Sequence, residues 1–89
     1  MAASSTSLVE ALKVGAQIEE LDLSDLASRR MVVDNDDILL VYDNLSRGSR
    51  NHLRAFMRQL AQLGGSYTPQ YLSQAAFNAI VNAPMERGR

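Results

Sequence analysis

Two carboxylates and an imidazole stand on helical stripes that apolar side chains would ordinarily fill. Stepping from Leu8 by alternate fours and threes gives Leu8, Leu12, Gly15, Glu19, Asp22 and Leu26. The same walk from Ile38 passes through Tyr42, Leu45, Ser49, His52, Phe56, Leu60 and Leu63. Each set shares one face of a helix, so each core-facing stripe is broken near its middle by groups that bind metals or protons. Burying such a group without a partner is costly, so each needs a reason to be there.

Glu19 can act as an inward glutamate of the kind that chelates or bridges metals in helical bundles. It can equally lie at a seam edge, paired with an arginine. Asp22, one turn along, is a secondary candidate: an outer ligand, or a structural hydrogen-bonding group. His52 is the single histidine of the chain. A neutral imidazole suits iron, zinc or manganese, and its second nitrogen needs an orienting partner. The competing reading is a core histidine satisfied by a carboxylate across the hairpin, Glu19 included. Ser49 occupies the place where a Glu-x-x-His element would carry its glutamate.

The elements that position these residues are two long helices and a tail. Ser7-Leu8-Val9-Glu10 fits a capping box, and periodicity then runs to about Arg30. Glu10, Lys13, Gln17, Glu20 and Ser24 fall on the opposite face, which this pattern assigns to solvent. Arg29 and Arg30 suit the negative pole of the helix. Asp34-Asn35-Asp36-Asp37 offers an N-cap and first-turn acids for a second helix, which Gly64-Gly65 ends. Their lengths are roughly 35 and 45 Å at ~1.5 Å per residue. The short connector makes them antiparallel neighbours. Beyond Gly65 an extended segment brings Tyr67 and Tyr71 back onto the hairpin. Ser73 can cap a short helix carrying Phe77, Ile80 and Val81 on one side, stopped by Pro84. The divisions are therefore a disordered leader (1–6), a helical half-bundle domain (7–83) and a frayed tail (84–89).

Composition narrows the functional classes. The 89 residues allow one domain with a modest core, and a hydrophobic content of 46% fits a globular chain. A formal net charge of −1 gives no overall attraction to nucleic acid or anionic membrane. There are no cysteines, which excludes disulfides, thiolate metal sites and a cysteine nucleophile. No apolar run approaches the ~20 residues of a membrane helix, and no signal peptide is recognisable at the N-terminus. The expected location is cytoplasmic. Arg47, Arg50, Arg54 and Arg58 form a basic ridge headed by Asp43, best read as a solvated face with local ion pairs. Gly48, and to a lesser extent Gly15, reads as a place for close helix crossing. No glycine-rich phosphate loop, serine-protease-type set or zinc-finger spacing is present.

Apolar positions extend beyond one seam. Val9, Ala11, Val14, Ile18, Leu21 and Leu23 flank the first stripe; Leu39, Leu40 and Leu53 flank the second. Either the C-terminal segment covers this surface or a second copy docks to complete a four-helix bundle. A two-fold homodimer is the expected solution.

The run from Glu10 to Leu26, with Gly15-Ala16-Gln17-Ile18-Glu19-Glu20 at its centre, resembles the third helix of a prokaryotic ferritin-like family of unknown function. The run from Val41 to Phe56, with Gly48-Ser49-Arg50-Asn51-His52, is similar to its fourth helix, and Tyr67-Thr68-Pro69-Gln70-Tyr71 to the segment after it. The resemblance covers Leu8 to Val81, only the second hairpin of that family. It implies an all-α, ferritin-like bundle of the rubrerythrin and ferritin type with di-iron-like chemistry. By matching position, Glu19 and His52 would be ligands. A dimer would then gather four ligand groups, where a complete di-iron site uses about six.

The expectation is an all-α hairpin with a short C-terminal helix, homodimeric and binding a transition metal (iron, or zinc or manganese) through Glu19 and His52, with Asp22 nearby. The alternatives are a metal-free helical interaction module, whose polar layer fixes register, and a fragment of a larger ferritin-like domain. Partners are expected to include neither nucleic acid nor membrane.

Overall fold

A computed structural model describes residues 2–87, with side chains from residue 7 onward. Its helices are α1 (Ala2–Arg30), α2 (Asp36–Gln62) and α3 (Gln74–Val81), and no strand occurs among the described residues. The fold is all-α, as its helical periodicity predicts. The stretch 2–6, expected as a leader, belongs to α1, and Ser7 lies inside that helix instead of capping it. Met1 lies outside the described residues.

Local chemistry sets the remaining ends. The side chain of Asn35 accepts from the amides of Asp37 and Ile38 at 2.9 and 3.2 Å, so it is the N-cap of α2. At the other end the Gly65 amide reaches Leu60 O and the Gly64 amide reaches Ala61 O, which closes a Schellman turn. Gly64 has φ +73°, a left-handed conformation that glycine adopts without steric cost. Ser73 caps α3 by accepting from the Ala76 amide at 3.1 Å.

α1 and α2 pack as an antiparallel hairpin, and the chain after Gly65 returns across one of its faces. The core lies beneath that return: Ala16 and Leu23 of α1, Leu53 of α2 and Phe77 of α3 are buried together. Tyr67 packs on Phe77 with ring centroids 5.9 Å apart.

Glu20 corrects the sequence reading. The periodic pattern assigns it to solvent, yet its exposure is 0%. Its two oxygens accept from the Tyr67 hydroxyl at 2.6 Å and from the amides of Gln70, Tyr71 and Leu72. Those donors belong to the returning segment, which has no helix or sheet to satisfy them. Burial pushes the Glu20 carboxyl upward, but the Tyr67 hydroxyl and the three amides outweigh it and hold the group below its ordinary value. Burial first, then the bond to Glu20, raises the Tyr67 phenol well above its usual range.

The expected frayed tail is docked at Glu86. Arg50 forms a two-pronged bond to its carboxylate at 2.6 and 2.7 Å, and Arg54 adds another at 2.8 Å. Asn51 pairs with both the amide and the carbonyl of Glu86. Arg54 is itself buried and donates to Ile80 O at 2.7 Å, meeting the negative pole of α3. The basic ridge is thus split, with its middle members binding the tail. Their bonds, that of Arg50 above all, hold Glu86 at about 2.

Glu20→Gln places an amide N–H₂ among donors. Stability should fall by roughly 3 kcal/mol, read as a drop in Tm of roughly 12 °C or more. The ordinary carboxyl value of Glu20 is 4.5, and its folded value is lower. Its stabilisation is therefore complete above that pH and is lost as the pH falls through the folded value. Glu86 behaves the same way between 4.5 and about 2. Acid titration followed by circular dichroism should show unfolding beginning only below pH 4.5 in the native chain.

Candidate functional site

The face of the hairpin away from the returning segment is uncovered. Ile18 and Leu21 on α1, and Ile38, Val41 and Leu45 on α2, are each 43–52% exposed, while the exposed Val14 borders a groove shared with Ser66, Tyr67, Thr68 and Gln70 of the return. Ala11, Val14, Ile18 and Leu21 follow steps of three and four, as do Val41, Leu45, Gly48, His52 and Ala55. Such spacing makes a stripe that suits another helix. α1 therefore carries apolar residues on two sides: Leu12, Ala16 and Leu23 are buried, while Ile18 and Leu21 lie open.

At the boundary between seam and open face, the structure brings Glu19 and His52 together. Glu19 Oε2 lies 3.4 Å from His52 Nδ1, with the glutamate side chain 15% and the histidine side chain 67% exposed. The carboxylate partner is the one anticipated for His52, but the histidine is largely exposed and not in the core, and the two groups are in proximity without a hydrogen bond. Asp22 does not join them. It lines a shallow groove of about 210 Å³ with Asp25, Leu26, Leu45 and Ser49. Gly15 sits where the ring of Phe56 crosses α1, its nearest ring carbon 3.0 Å from the place a β-carbon would take.

The donor set limits what one copy can hold. Among the described residues, no three His, Asp or Glu side chains gather closely enough to hold a metal ion. Glu19 and His52 alone are two donors, short of the three or four protein ligands of most transition-metal centres. Among the described residues, no helix is long and apolar enough to cross a membrane.

An all-α hairpin with one apolar face covered by its own C-terminal segment and the other uncovered defines the class. The chain belongs to the family of the uncharacterized protein domain DUF2202, whose model matches residues 1–84. It is 52% identical over 82 residues to the uncharacterized protein MJ0754 of Methanocaldococcus jannaschii, an alignment covering 92% of this chain and 44% of the relative. It also resembles the crystal structure of hypothetical protein MJ0754 from Methanococcus jannaschii DSM 2661, with a TM-score of 0.85 and 51% identity. That match covers 88% of this chain and 45% of the solved one. The chain thus spans less than half the length of the relative it matches.

These findings correct the ferritin-like resemblance: the family that matches is DUF2202, and none of the matches points to a ferritin-like family. The ligand roles that the resemblance implied for Glu19 and His52 lose that support. What remains is their contact.

A contact whose imidazole is largely exposed contributes little to folding. His52→Ala should change the stability of dilute protein by less than about 1 kcal/mol, measured by thermal melting. A larger loss would make the contact part of the fold itself.

Proposed function

We propose that this chain is a helical assembly module that forms a four-helix bundle by homodimerisation, the open apolar face of each hairpin covering that of the other. The observation that carries this reading is the two-sided apolar character of α1. One side is satisfied within the chain, and the other lies beside an equally apolar stripe on α2. The helices have 29 and 27 residues, about 40 Å each at ~1.5 Å per residue. Set side by side they offer a face roughly 20 Å wide, hence roughly 800 Å², the contribution of one partner to a standard interface. Apolar side chains exposed in a contiguous stripe mark interaction sites.

A second reading, favoured by the 3.4 Å contact of Glu19 with His52, places a transition metal in the assembled core. A two-fold dimer would gather Glu19 and His52 from both copies, four carboxylate and imidazole groups of the kind that iron, zinc and manganese accept. Without metal, the same groups form a polar layer that sets the register of the two copies.

Native mass spectrometry tests both readings. The native chain is expected as a dimer, and Ile18→Glu, which puts a charge into the open face, as a folded monomer. A native chain that stays monomeric at high micromolar concentration would overturn the assembly. Added iron or zinc should give one metal per dimer, lost in His52→Ala. A dimer unchanged in mass at excess metal would leave the metal-free module.

A further inference from the structure

Arg54 is a buried cation, and the fold uses only part of its guanidinium. Its side chain is 5% exposed. Nε donates to Ile80 O, and Nη1 donates to Asn51 and Glu86. Nη2 carries two further N–H groups, and among the described residues it meets no acceptor. Donors on so buried a side chain ordinarily find partners. Arg54 also lines a groove of about 320 Å³ between α2 and the end of α3, together with Met57, Arg58, Ala61, Val81 and Ala83. Four of these six residues are apolar and none is acidic. Arg58 is exposed and forms no ion pair among the described residues. Arg50 and Arg54 share one carboxylate, that of Glu86, so positive charge is in excess around the groove.

We propose that this groove binds a small apolar carboxylate, of the medium-chain fatty acid class, with its headgroup on Arg54 and Arg58 and its hydrocarbon chain on Met57, Ala61, Val81 and Ala83. A guanidinium fork matches the two oxygens of a carboxylate. The fold has already desolvated Arg54, so a bond to its idle nitrogen forms where charge-assisted contacts are strong. Apolar walls with a few placed polar groups are the usual make-up of a small-molecule site, and the volume stands at the small end of such sites. That size fits one short chain and is too small for a phospholipid. Every lining residue belongs to this chain, so the site is complete whatever covers the open face of the hairpin.

Octanoate is the probe, titrated below its micellar concentration and followed by the amide resonances of the native chain. Saturable shifts are expected at Met57, Ala61, Val81 and Ala83. Acetate, which lacks the chain, and octan-1-ol, which lacks the charge, should each bind at least about tenfold more weakly. Arg58 and Ala61 are exposed, so variants there keep the fold, which an unchanged Tm verifies. Arg58→Gln should weaken octanoate about tenfold, and Ala61→Phe, which fills the groove, should abolish binding. Octan-1-ol as tight as octanoate would remove the arginines from recognition and overturn the site. Acetate as tight as octanoate would remove the apolar walls with the same result. Shifts confined to Ile18, Val41 and Leu45 would put the probe on the open face instead, and the absence of any saturable shift would likewise sink the proposal.

Discussion

The carboxylate of Glu20 holds together the one part of the chain that cannot hold itself. Between Gly65 and Ser73 the backbone runs without helix or sheet, yet it covers the core. Three of its amides and a tyrosine hydroxyl end on the two oxygens of a single side chain from the middle of α1. An ionised carboxylate is the fitting acceptor, because charge-assisted bonds recover what its burial costs. Everything downstream follows from that anchor. The return brings Phe77 onto Leu23 and Leu53, and it carries Glu86 to Arg50 and Arg54. The C-terminal stretch is thereby tied at both ends, once to each long helix.

With one face closed in this way, the hairpin is left asymmetric. The side under the return has a small, dense core, while the other side leaves Ile18, Leu21, Val41 and Leu45 about half exposed. A single helix pair has two faces, and among the described residues this chain supplies a covering segment for one of them. The relative that shares 52% identity is more than twice as long as the aligned region. The membership in DUF2202 and the resemblance in fold concern this hairpin unit, and the rest of the relative lies outside the comparison.

The polar groups along the seam divide by environment. Glu20, inside, is saturated with donors and structural. Glu19, its neighbour in sequence, points to the other side of the same helix and meets an exposed imidazole. One residue of displacement turns the side chain by about 100°, enough to separate a buried anchor from a group beside an exposed imidazole. Asp22 lies apart, in a groove with Asp25 and Ser49.

The amino-acid sequence by itself determined the local features. Periodicity marked both long helices, Gly64-Gly65 marked the end of the second, Ser73 marked the start of the third, and the excess apolar residues marked a surface wider than one seam. These are readable because capping, turn chemistry and helical spacing act over a few residues. The pairing of Glu19 with His52 was legible as one of two readings, since both stood on facing stripes. Tertiary structure alone decided the fate of Glu20 and Glu86. On a helical projection Glu20 falls with Glu10 and Gln17 on the wet side, and nothing nearby announces that residues 70–72 will lay their amides against it. A tail with no helix of its own likewise gives no sign of binding two arginines more than thirty positions earlier. Contacts between segments that far apart depend on how the whole chain returns on itself, and no spacing within either segment encodes them.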